Sequence, residues 1–295
     1  MRYDCFVLRD AVPLISALVA LGVLGCAPAA QEAGTCTLTD MPEVLVLRTL
    51  SFALADANGV SEGFDLDGVT STDGGESGCG VADFTSPDGA PGIDNAFSRL
   101  EPALNSTEAK ISVIEGLVQS AIDSGELLLT VELGGVDDWQ TDECVAGQIG
   151  QAVGTPMLGT DGLLLDGQTF DRDEDIGVVG LSEGSVSSGV FVASGLSLDL
   201  PVQILNASLV FPLRDGKVRL EQGEDEVYRG VLAGRVSAAY VLAVAKTQAV
   251  DPAVAELLGV VLTANGDFDD EDGTWCGAIS VVLKFEAVGA YFYGD

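Results

Sequence analysis

The residues of this chain best suited to chemistry are aspartates, spaced by glycines. The first group runs Phe64-Asp65-Leu66-Asp67-Gly68, then Asp73-Gly74-Gly75-Glu76, Asp83, Asp88-Gly89 and Asp94-Asn95. Asp65 and Asp67, two apart, can face one ion, and Gly68 permits the tight turn. Calcium takes about six to eight oxygen ligands, which Asp carboxylates and flexible Gly backbone supply together. Asp73, Asp83 or Asp94 would complete the shell from later in the chain. The loop is not an EF-hand, because Val69 stands at its fifth position and Glu76 reaches the twelfth without the central ligands. A second group, Asn265-Gly266-Asp267-Phe268-Asp269-Asp270-Glu271-Asp272-Gly273, has five acids in the six residues from 267. Like charges this dense are either fully solvated or held by a cation. The expected ligands are Asp65, Asp67, Asp73, Asp94, Asp267 and Asp269, with calcium as the ion. The plainer alternative, solubilising surface loops, stays open. A third run, Asp171-Arg172-Asp173-Glu174-Asp175, contains its own arginine and reads as a solvated turn.

Other chemistries are largely excluded. The chain has no histidine, so it has no Ser-His-Asp triad, Cys-His pair or His-ligated zinc. Gly177-Val178-Val179-Gly180 is not followed by a convincing helix, which removes a dinucleotide fingerprint. There is no phosphate-binding Walker loop and no Ser-x-x-Lys. Trp139 beside Asp137, Asp138, Asp142 and Glu143 is the one place where an aromatic platform meets acids, as a two-carboxylate glycosidase would need. Trp275 is the only other tryptophan, few for a sugar cleft.

With 13 basic residues against 46 acidic ones, the formal charge is -33. Nucleic acid and bare anionic lipid are poor partners for such a surface, and divalent cations good ones. Near the N-terminus, Arg2 and Arg9 precede an apolar run, Leu18–Gly25, that ends at Cys26. This reads as a secretory leader over 1–25 whose Val23-Leu24-Gly25-Cys26 resembles a bacterial lipobox. Cys26 would then carry the lipid, and 26–40 would be a tether to a domain over 41–295. Cys5 leaves with the leader. Cys36, Cys79, Cys144 and Cys276 remain, an even set suited to two disulfides in an oxidising compartment. Three connectivities are open. No later segment is long enough to span a bilayer, so attachment rests on the lipid.

Leu24-Gly25-Cys26, Phe64–Gly68, Phe84–Gly89, Gly92–Asn95 and the segment from Cys276 resemble secreted bacterial lipoproteins. The acidic loops are similar to the Asp-x-Asp-Gly loops of thrombospondin type 3 and dockerin modules. The resemblance implies export and lipidation, and no activity. Ala27 after the cysteine is compatible with sorting to the outer membrane.

Periodicity supplies the elements that would position these residues. Residues 43–55 read as a strand, and 56–94 as one long acidic loop. The stripe Ile93, Phe97, Leu100, Leu104 is helical, with Pro102 interrupting it. Asn105 is the expected N-cap of a helix carrying Ile111, Ile114, Leu117, Val118, Ala121 and Ile122, and Gly125 is its stop. Leu127, Leu129, Val131 and Leu133 then alternate with Leu128, Thr130 and Glu132, the period of a strand, and Leu196, Leu198, Leu200 and Val202 opposite Ser197, Asp199 and Gln203 read as a half-buried antiparallel strand. Further strands are expected near 162–170, 176–181, 186–193, 196–204, 207–213, 217–221 and 227–236, with Asp215-Gly216 as a hairpin turn. Helices follow at 237–249 and 252–263, then the acidic loop 265–277 and a final strand over 278–293. Strands in runs predict an α+β fold: a large antiparallel sheet or sandwich with two or three packed helices. The functional expectation is a non-catalytic, calcium-stabilised cell-envelope lipoprotein with a structural or interaction role. A carrier of an apolar ligand and a carboxylate-dependent hydrolase are the alternatives.

Overall fold

A computed structural model describes residues 36, 38, 42–106, 110–204, 207–223, 225–247 and 252–294. The leader, Cys26 and all of the tether except residues 36 and 38 lie outside them. The described residues belong to one compact unit, Thr35–Asp295. In chain order the elements are β1 (Glu43–Phe52), β2 (Phe84–Thr85), β3 (Pro91–Ile93), α1 (Glu101–Asn105), α2 (Ile111–Ser124), β4 (Leu128–Gly134), β5 (Thr141–Asp142) and β6 (Ala146–Val153). Then come β7 (Gln168–Arg172), β8 (Val179–Gly180), β9 (Ser182–Ser187), β10 (Val190–Ile204), β11 (Ala207–Gln222), β12 (Tyr228–Ser237), α3 (Ala238–Thr247), α4 (Pro252–Ala264) and β13 (Ala278–Phe292).

The protein is mostly β with few helices, which agrees in outline with the expected α+β fold. Eleven strands form one sheet in the order β1-β4-β6-β7-β13-β12-β11-β10-β9-β5, with β8 on β6. Because β1 pairs with both β4 and β13, the strands β1, β4, β6, β7 and β13 close into a five-stranded barrel. The expected antiparallel sheet is corrected in one place: β7 runs parallel to β13, Gln168 opposite Ala290. Parallel neighbours need a long crossover, and local patterning carries no trace of it. Four α-helices are present among the described residues, one of them only five residues long.

Ring closure buries both faces of β4. Every residue of Leu128–Gly134 is buried, including Thr130 and Glu132, each 1% exposed. Glu132 is paired there: Arg172 Nη1 donates to its Oε1 at 2.6 Å. The 171–175 segment is therefore not simply a solvated turn, since its arginine serves a buried carboxylate.

Asp215-Gly216 is not a hairpin turn. β10 and β11 pair from Val190 opposite Glu221 to Ile204 opposite Ala207, and the chain reverses beyond Ile204. Asp215 and Gly216 instead form a bulge within β11, where the register to β12 slips between Arg214 and Lys217. Asp215 has φ +48, and a Cβ on Gly216 would lie 2.2 Å from the Ala233 carbonyl oxygen. A bulge and a type I′ turn both want left-handed, small residues, so the dipeptide alone does not separate them.

Around the sheet the helices behave as the periodicity requires. α2 buries Ile111, Val118, Ala121 and Ile122, and Gly125 ends it in the left-handed conformation at φ +83. The expected cap Asn105 instead closes α1, and its side chain accepts the Ile111 N–H at 3.3 Å. The 93–104 stripe is not one helix: a 3-10 turn, Ala96–Leu100, precedes α1, and Pro102 lies at the start of α1. Strand β6 has no counterpart in the periodicity reading, because its sequence Ala-Gly-Gln-Ile-Gly-Gln-Ala-Val lacks a clean alternation. α3 and α4 fall where expected and lay Val241, Leu242, Leu258 and Val261 on the main core. Among the described residues no helix is long and apolar enough to cross a membrane.

Candidate metal centre

The first acidic loop is seated on the sheet by its apolar residues. Phe64 and Leu66 pack against Ala53, Val231, Ala233 and Val282. Asp65, between them, is half-buried, and Asp67, just after Leu66, is exposed. Gly63 lets the loop come this close: a Cβ there would meet Ile93 Cγ2 at 2.8 Å and Val282 Cγ2 at 3.1 Å. Lys217 Nζ donates to the Asp65 carbonyl oxygen at 2.7 Å and pins the loop to β11. Asp65 and Asp67 then shape the turn themselves, accepting the Gly68 N–H at 2.6 Å and the Val69 N–H at 2.8 Å.

Asp94 meets them from across the loop. One carboxylate oxygen from each of Asp65, Asp67 and Asp94 lies within 4.8 Å of the others. Asp94 is only 3% exposed and accepts the Leu66 N–H at 2.6 Å. Burial pushes its carboxyl up to about 8, and the charges of Asp67, Asp267 and Asp83 push the same way against the Leu66 hydrogen bond. Asp83, half-buried, accepts the Ser71 N–H at 2.5 Å. Burial raises its pKa too, with Asp67 and Asp65 adding to the shift.

Asp267 joins this group from the second acidic loop. It is 6% exposed and accepts hydrogen bonds from the Ser280 N–H, at 2.8 Å, and the Ser280 hydroxyl. Burial raises it to about 7, opposed by those bonds and reinforced by Asp83. Two loops far apart in sequence therefore share one electrostatic neighbourhood. The disulfide Cys79–Cys276 ties them together, with 5.7 Å between Cα atoms, and Cys36–Cys144 forms the other bridge, at 5.4 Å.

The remaining expected ligands lie elsewhere. Asp73 is exposed and accepts the Ala82 N–H at 3.2 Å, as a turn residue. Asp269 accepts the Cys276 N–H at 3.0 Å and approaches the sulfurs of Cys79 and Cys276. Those sulfurs are joined in the disulfide, so they offer no thiolate to a metal.

Two arginines touch the second loop, one at a carbonyl oxygen and one at the Glu271 carboxylate. Arg235 donates to the Asp269 carbonyl oxygen at 2.7 Å and pairs with Asp215. Arg214 pairs with Asp199 at 2.6 Å and reaches Glu271 at 3.8 Å. Ser237 donates to Asp270 at 2.5 Å. The first loop is met in a similar way. Its neighbouring basic residues, Lys217 and Arg219, engage the Asp65 carbonyl and the Glu62 carboxylate. The strongest influences on Asp94 include only other carboxylates among the charged groups.

The acids near Trp139 are turn-formers. Asp142 accepts the Asp137 N–H at 2.8 Å and the Cys144 N–H at 3.0 Å, which hold its carboxyl below the usual range. Asp138 accepts the Gln140 N–H at 2.8 Å. Trp139 packs on Tyr228 with ring centroids 5.8 Å apart.

Comparison with protein-family models, curated proteins and solved structures finds no match for this chain.

Proposed function

We propose that this protein is a non-catalytic, lipid-anchored module of the bacterial cell envelope whose two acidic loops close on a calcium ion. The carrying observation is Asp94: a 3%-exposed carboxylate with Asp65 and Asp67 converging on it. Asp83 and Asp267 stand close enough to disfavour its ionisation further. Such a set repels itself when ionised, and a hard divalent cation converts the repulsion into coordination. Asp65, Asp67 and Asp94 would be the direct ligands. Asp83 and Asp267 would add ligands or negative field. Asp73 and Asp269 drop out of the ligand set, and Asp83 enters it. The lipid at Cys26 and the envelope location carry over from the lipobox reading, and the two disulfides suit an oxidising compartment.

Calorimetric titration of chelator-treated protein tests the ion. Calcium should bind with measurable heat and raise the melting temperature at millimolar concentration. Absence of both effects refutes the site. Mass spectrometry of the protein from membranes tests the anchor: an N-terminal Cys26 carrying acyl chains is expected, and an unmodified one rejects it.

A further inference from the structure

The helical pair α3–α4 presents an outer face unlike the rest of this polyanion. Its exposed positions include Ala239, Ala243, Lys246, Glu256, Leu257 and Val260. Leu257 is 42% exposed and Val260 64%. Lys246 and Glu256 are the only charged residues in the two helices, and they cancel, on a chain of net charge -33. Between the helices lies an open groove of about 700 Å³ whose lining is mostly small or apolar, including Leu242, Ala255, Gly259 and Val260.

We propose that this face rests on the neutral, zwitterionic surface of the bilayer that holds the lipid anchor. The inference rests on the lipid-anchor part of the reading above. Two observations favour a bilayer as the occupant. One is charge: a neutral apolar face is the part of a strongly acidic protein that approaches lipid at least cost, with the Lys246 stem free to extend its ammonium toward headgroups. The other is reach. Cys36 is bolted to Cys144, next to β6, at the end of the barrel where Tyr228 begins β12, whereas α3 leaves β12 at Ser237. The ten residues of β12 span about 33 Å. The segment from residue 26 to Cys36 extends to at most about 36 Å. An anchor at residue 26 and the helical face can therefore meet the same plane, with β12 lying along it.

The test uses the full chain carrying Cys26→Ser, which cannot be acylated, in sedimentation with vesicles. Phosphatidylcholine vesicles are compared with the same vesicles enriched in phosphatidylserine. Binding should be stronger to the first, and Leu257→Asp and Val260→Asp should each weaken it about tenfold or more. Val113→Asp, at a 48%-exposed site on α2, should leave it unchanged. Whatever residues 1–25 contribute is common to parent and variants, so the ratio decides. Equal binding by parent and α4 variants overturns the proposal. So does a parent that ignores vesicles and self-associates through Val260. The mass of the Cys26-bearing protein reports separately on the anchor.

Discussion

Asp94 closes the first acidic loop by accepting the backbone N–H of Leu66 at 2.6 Å, between the two aspartates that face it. One buried acid thus fixes the turn that carries Asp65 and Asp67 and faces their charge. Holding the backbone and repelling its neighbours are opposed roles, and they can be separated by substitution.

Asp94→Asn keeps an acceptor for Leu66 and removes the charge. Without calcium, the variant should melt above the parent at pH 8, because a buried repulsion has gone. With calcium, the parent should rise and the variant should not. Its calcium affinity should fall by at least the ~10–100-fold that loss of an outer-sphere partner typically costs. Calorimetry and thermal melts in parallel check both halves.

Acidity should act on the cation-free protein in an unusual direction. Asp94 and Asp267 are raised from 3.8 to about 8 and about 7, burial being the first cause for each. Across that window the folded state holds more protons than the unfolded chain, so stability falls as pH rises. The contribution is intact below about 4 and lost as pH climbs through 7 and 8. Chelated protein should therefore melt higher at pH 5 than at pH 8, and calcium should flatten or reverse the trend.

Arg172→Ala should destabilise the barrel strongly. Its guanidinium pairs with Glu132, which is 1% exposed and whose second oxygen has no hydrogen-bond partner, and it lies 3.9 Å from the Phe292 ring centroid. Removing the cation leaves a buried carboxylate uncompensated, a loss of ~3–5 kcal/mol. Glu132→Gln in the Arg172→Ala background should recover part of it. Denaturant unfolding of the single and double variants measures both.

The sequence was most legible where a local rule has one reading. Gly125 as a stop, Pro252 as a helix opener and the α2 stripe all depend on contacts within a few residues, and they hold. Asp65 and Asp67 were visible as acids at usable spacing, while Asp94 joins them by a contact across the loop that spacing does not fix. Asp83 was harder to choose, because the chain holds 46 acidic residues and spacing alone does not rank them. What separates Asp83 and Asp267 from Asp73 and Asp269 is proximity created by the Cys79–Cys276 bridge and by Phe64 and Leu66 lying on the sheet. Both are long-range facts. The same holds for the parallel β7–β13 pair and the buried second face of β4, which exist only once the ring has closed. Asp215-Gly216 misled for a different reason, since one backbone conformation serves two devices.

Strand β13 bonds to β1, β7 and β12, yet it comes after all the other described strands. A nascent polypeptide lacking residues 276–292 has no keystone: the ring stays open, and Cys79 has no Cys276 to meet. Closure of the ring must wait until β13 has been made, so a chain that has reached only β12 stays open. Folding governed by such distant pairings is slow, and the Cys79–Cys276 bridge can form only after residue 276 has been made.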